Sequence, residues 1–260
     1  MPPLVTLSSV RGSIRHPLAT YGLAGNVRVI CILFVVGLLG AALAGQAAAQ
    51  PAANAVADTC RADIDDQKLD AREPVCLREY GKRASRKGDL LTLQLENGTS
   101  KIYRTDTKAC ETDDVQHCVQ YWFAGYHPVA HVYSIAAKYY EGSGVELVSA
   151  RTGAKLLLPG VPFLSDDGTN FLVIDNDYAH GGEYDLAVGS TAGDAPALQW
   201  KHAQDALFEW RHQRWIDEDH VALRVFPADT EQKCPDDKCD AVLVRFNDGW
   251  TVRRVPATQR

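Results

Sequence analysis

The residues best suited to chemistry in this chain lie between positions 175 and 185, Asp175-Asn176-Asp177-Tyr178-Ala179-His180-Gly181-Gly182-Glu183-Tyr184-Asp185. Carboxylates, an amide and an imidazole gather around a Gly-Gly bend, and oxygen-rich loops of this kind suit calcium. The ligand spacing departs from the Asp-x-Asp-x-Asp-Gly pattern of calcium loops, so the segment reads as a solvated acidic loop without a metal. Asp175, Asp177, His180, Glu183 and Asp185 are the side chains a cation would use. A second pair, His127 and His131, has the His-x-x-x-His spacing of a helical zinc site, but Pro128 stands where that chemistry needs a general-base Glu. It reads as a chance pair in a strand or loop.

Other signatures of catalysis are missing. The chain contains no Gly-x-Ser-x-Gly elbow, phosphate loop or dinucleotide fingerprint, so no catalytic residue is assigned and no cofactor is expected. Aromatic side chains offer a different chemistry, adhesion to a sugar or peptide. Tyr126, Tyr140 and Trp210 are the candidates for such a surface, while most other aromatics are expected in the core.

The elements that must position these residues begin after a leader. Residues 1–49 contain no Asp or Glu, carry Arg11, Arg15 and Arg28, and run apolar over 29–43 before an Ala-rich stretch with Ala47 and Ala49. A basic lead-in, an apolar core and an Ala-x-Ala site form an export signal, with cleavage expected before Gln50. The competing reading is an uncleaved anchor, which Gly37 and Gly40 weaken. Cleavage leaves 211 residues with 24 basic and 33 acidic side chains, a net charge of −9. Such a surface repels phosphate backbones, which argues against nucleic acid as a partner. The expected location is periplasmic or secreted, with no membrane span after cleavage.

Six cysteines remain: Cys60, Cys76, Cys110, Cys118, Cys234 and Cys239. In an oxidising compartment they read as disulfides. Sequence proximity pairs Cys60 with Cys76, Cys110 with Cys118 and Cys234 with Cys239.

Along the mature chain, residues 50–57 form an Ala/Pro-rich tether and 58–88 a charged, disulfide-bonded segment. A short helix is expected over 63–72, ended by Pro74. From 89 to 256 the pattern is all-β. Leu91, Leu93 and Leu95 alternate with polar residues, and Asn97-Gly98 predicts a type I′ turn with two positive-φ positions. Similar hairpins recur at 145–158, 171–189 and 241–255. Ten to twelve strands are expected, enough for about three four-stranded blades, with a β-sandwich or barrel as the alternative arrangement.

Pro162-Phe163-Leu164-Ser165-Asp166-Asp167-Gly168, followed by Phe171, Leu172 and Val173, resembles the Pro-x-Trp-Ser-Pro-Asp-Gly repeat of TolB-like and WD40-like β-propellers. Leu164 replaces the Trp and Asp166 the second Pro. A shorter echo follows at Trp215-Ile216-Asp217-Glu218-Asp219, before an apolar strand. The resemblance spans about residues 120–255. It implies a propeller-like stack of antiparallel sheets, with Asp-Gly in the turn between two blade strands, and says nothing about chemistry. The resulting expectation is a non-catalytic exported envelope protein that binds a protein or glycan through a loop-rich face. An extracytoplasmic hydrolase with a dispersed Asp/His site is the alternative.

Overall fold

The computed structural model describes residues 60, 66–112, 114–177, 182–203, 208–227, 239–247 and 249–254. Among them are helices α1 (Asp66–Glu79) and α2 (Thr107–Glu111) and strands β1 (Ala84–Lys87), β2 (Leu90–Gln94) and β3 (Ser100–Arg104). Next come β4 (Val119–His127), β5 (Val132–Tyr139), β6 (Gly142–Ser149), β7 (Lys155–Leu158), β8 (Phe163–Leu164), β9 (Asn170–Ile174), β10 (Leu186–Ser190) and β11 (Ala197–His202). The last four are β12 (Phe208–Asp217), β13 (His220–Pro227), β14 (Cys239–Phe246) and β15 (Gly249–Arg254). Each sheet is an antiparallel meander of consecutive strands: β1 to β3, β4 to β7, β8 to β11 and β12 to β15. The described residues thus hold 15 strands rather than ten to twelve, and the first sheet has three strands, not four.

The period-two geometry of strands explains how the sheets are joined. Along a strand, neighbouring side chains leave on opposite faces. Val148 packs with Leu91, Leu93 and Tyr103 of the first sheet, whereas the adjacent Leu147 packs with Phe171 and Val173 of the third. In turn Leu172, between those two, packs with Trp210, Leu223 and Leu243 of the fourth. The two inner sheets are therefore buried on both faces, and β5, β9 and β10 are nearly continuous apolar runs. The outer sheets alternate, as in β2 and β13. Each fully buried Leu or Val in these shared cores contributes about 1.5–3 kcal/mol relative to exposure.

The segment 58–88 contributes α1 and the edge strand β1, which pairs with β2. Pro74 does not end the helix as expected but lies inside its 14 residues. An interior proline costs about 3 kcal/mol, and tertiary contacts offset it. Glu73 accepts hydrogen bonds from Arg86 Nε at 2.6 Å, Arg86 Nη2 at 2.7 Å and the Phe123 N–H at 2.7 Å. Asp70 accepts from Trp122 Nε1 at 2.7 Å, Leu69 packs with Trp122 and Ala136, and Cys76 is bonded to Cys60. The other bond joins Cys110 to Cys118, so two of the pairs expected from proximity are present. Cys234 of the third pair lies outside the described residues.

The first hairpin also differs in detail. Leu91, Leu93 and Leu95 are buried together, but Asn97 does not take a positive φ; only Gly98 does, at 83°. The Leu95 N–H donates to the Thr99 carbonyl and the Gly98 N–H to the Leu95 carbonyl, which makes a three-residue loop with glycine in the left-handed position. The Asn97 side chain accepts from Thr99 N–H and Oγ1, which holds Asn97 out of that conformation. At the last hairpin Asn247 has φ 52° and Phe246 pairs with Gly249, as a two-residue turn requires.

Candidate binding face and the acidic loop

The carboxylates of the acidic loop point to different tasks. Asp185 is fully buried at the start of β10, where it accepts from His202 Nδ1 at 2.7 Å and Trp210 Nε1 at 2.9 Å. It ties the third sheet to β12. Asn176 brackets the backbone of Trp210 with two 3.0 Å hydrogen bonds. Asp175 accepts from the Asp177 N–H at 3.0 Å, and burial pushes its carboxyl above the usual range. Glu183 is exposed and pairs with Lys201 at 2.5 Å, a contact that holds its carboxyl below the usual range. His180 lies outside the described residues. Among the described residues, no group of three or more His, Cys, Asp or Glu side chains is placed to hold a metal ion.

The two histidines of residues 127–131 do not converge either. His127 contacts Ser134 Oγ at 3.0 Å, while His131 occupies the turn with φ 52° and contacts Glu96 Oε1 at 2.7 Å. Of the aromatic candidates, Tyr126 and Trp210 are buried and only Tyr140, 47% exposed, presents its ring to solvent. The Tyr126 hydroxyl donates to Glu96 at 3.2 Å.

The structure instead draws attention to the tight turns. In a meander, alternate turns share one end of the sheet, so β2–β3, β4–β5, β6–β7, β8–β9, β10–β11, β12–β13 and β14–β15 each present a turn at that end. Hydrogen bonds join these turns both within one sheet and from sheet to sheet. The Glu96 N–H donates to Ala150 O at 2.8 Å, and the Ala150 N–H to His131 O at 2.7 Å. Thr152 Oγ1 reaches Asp194 O at 2.6 Å, and Arg245 Nη2 reaches Asn170 Oδ1 at 3.1 Å. Gly168 has φ 70°, and a Cβ there would lie 2.7 Å from the Ala130 nitrogen, so glycine is what allows the β8–β9 turn to seat on the β4–β5 turn.

Two recesses open on this end. One, of about 200 Å³, is lined by Ser165, Asp166, Asp167, Trp215, Asp217 and Glu218, residues of the two propeller-like motifs. The turns that carry Asp167 and Asp217 are self-bonded. Burial pushes Asp167 up, but hydrogen bonds from Ser165 and Thr169 outweigh it and hold the carboxyl below its usual range. A hydrogen bond from His220 does the same for Asp217. The Trp215 indole donates to Phe163 O at 3.0 Å and closes the floor. The other recess, of about 470 Å³, lies between the C-terminal end of α1 and the β4–β5 turn, with Arg78, Tyr80, Lys82, Arg83, Tyr126 and Pro128 on its walls. In or next to these turns Val129 is 63% exposed, Ile216 48% and Phe246 62%, while Ile102, Val115 and Leu157 are exposed to a similar degree elsewhere. Sequence reasoning missed this face because it took the motifs as turn formers only. The recurrence of acidic turns about 50 residues apart was the available signal.

Among the described residues no helix is long and apolar enough to cross a membrane. Scanned against protein-family models and compared with curated proteins, the chain finds no match.

Proposed function

We propose that this chain is an exported, non-catalytic binding protein of a bacterial envelope, built as a propeller-like stack of antiparallel sheets, that holds a protein or glycan partner at its tight-turn end. The leader-like residues 1–49 and the two disulfides support export. Sequential sheets that share cores, and the Ser-Asp-Asp-Gly turn between β8 and β9, support the propeller-like reading. The observation that carries the binding function is a face whose turns are cross-linked by hydrogen bonds and which still leaves Val129, Ile216 and Phe246 in water beside two recesses. Exposed apolar side chains on a preorganised platform gain binding energy at a reduced ordering cost.

The buried Asp185 on His202 Nδ1 favours a second reading, a hydrolase in which that carboxylate orients the imidazole as a general base. Partner capture from envelope extract separates the two. Binding lost in Ile216→Glu and Phe246→Glu proteins of unchanged melting temperature, and kept in His202→Ala, is the expected result. Capture that survives both surface changes would refute the proposal.

A further inference from the structure

The wider recess has a chemistry opposite to that of the chain as a whole. Arg78, Lys82 and Arg83 line it against a single acid, Glu79, on a protein with formal charge −6. Arg78 and Lys82 are exposed, and among the described residues neither makes an ion pair or side-chain hydrogen bond. Arg83 is held. Its guanidinium sits 4.8 Å above the Tyr126 ring. A stacked guanidinium keeps its planar fork oriented, so little further entropy is lost when it grips an anionic oxygen.

The walls say which anion carrier fits. Sugars are gripped by open aromatic faces, but Arg83 covers Tyr126, and Tyr80 is set edge-to-face against both Phe123 and Tyr126. Tyr80, Tyr126 and Pro128 therefore supply an apolar wall rather than a stacking platform. A volume of about 470 Å³ falls within the range of ligand sites, and the exposed Val129 follows Pro128 in the chain. We infer that this groove takes an acidic peptide segment of the partner, its carboxylates on Arg83, Lys82 and Arg78 and its stem on Tyr80 and Pro128. The inference rests on the tight-turn end being the binding face.

Fluorescence anisotropy on the folded mature chain tests it, with labelled hexaglutamate and an oligogalacturonate of equal charge as probes. Hexaglutamate should bind, weaken as salt rises, and lose roughly tenfold or more in affinity in Arg83→Gln and in Lys82→Glu. Lys82 is exposed, so its variant remains informative if Arg83→Gln disturbs the Tyr126 and Tyr133 packing. Absent hexaglutamate binding, binding untouched by both substitutions, or tighter binding of the oligogalacturonate would each overturn the inference. If hexaglutamate fails while capture from extract still depends on Ile216 and Phe246, only the groove's assignment falls. If capture fails while hexaglutamate behaves as stated, the wider reading falls and the groove stands.

Discussion

Replacing Glu73 with alanine should remove the element that walls the basic groove. The Glu73 carboxylate is 9% exposed and takes three hydrogen bonds, two from Arg86, itself 20% exposed, and one from the Phe123 N–H. Arg86 Nη2 also donates to the Tyr121 carbonyl, so one ion pair fixes α1, β1 and β4 together. Truncation strands a guanidinium and a backbone donor in a site with little water. Breaking a buried pair from one side costs about 3–5 kcal/mol. For a domain of about 200 residues each kcal/mol moves the melting temperature by about 2–4 °C, so a fall of about 6–20 °C is expected by calorimetry. Glu73→Leu combined with Arg86→Met removes both charges and should recover part of the loss, the Phe123 N–H still lacking an acceptor. A Glu73→Ala cost below about 1 kcal/mol, or a double variant as unstable as the single one, would refute the reasoning that this pair secures a proline-containing helix.

Gly189→Ala should cost about 1–3 kcal/mol, read by urea denaturation, because a Cβ there would lie 2.1 Å from Phe171 Cζ and 2.6 Å from the Ala197 carbonyl. Removing the Cys60–Cys76 bond should cost about 3 kcal/mol and removing Cys110–Cys118 about 2.5, from loop separations of 16 and 8 residues; alanine pairs compared by chemical denaturation should give that order. The His131 hydrogen bond holds the Glu96 carboxyl below its usual range. A depressed folded pKa gives stability that is present above the unfolded value of about 4.3 and is lost as pH falls through the folded one. The melting-temperature gap between wild type and Glu96→Gln should therefore be open above the unfolded value and narrow as pH falls below it.

Much of the fold was legible because strands announce themselves by period and turns by residue type. Leu91, Leu93 and Leu95 gave one face of a buried hairpin, although its Asn97-Gly98 turn closes differently from the type I′ turn expected, and short cysteine separations gave two bonds. Elements whose stability comes from elsewhere were not legible. β8 is two residues long and β1 reads Ala-Ser-Arg-Lys, so neither has a pattern; each exists because a neighbouring strand offers hydrogen bonds. Pro74 stays helical through partners 13 and 50 residues from Glu73. The acidic loop was visible as chemistry, but burial of Asp185 under His202 and Trp210 depends on β11 and β12, which no local spacing encodes. Likewise Tyr126 and Trp210 look like surface aromatics in sequence and are core residues in the fold.

The proposed function requires the partner to sit on the tight-turn end rather than the acidic-loop end. Photo-crosslinking residues introduced singly at Ile216, Phe246, Lys82, Tyr140 and Lys201 in the full chain read this out. Adducts to one partner from positions 216, 246 and 82, with none from 140 and 201, are the predicted result. Adducts from 140 and 201 alone would contradict it.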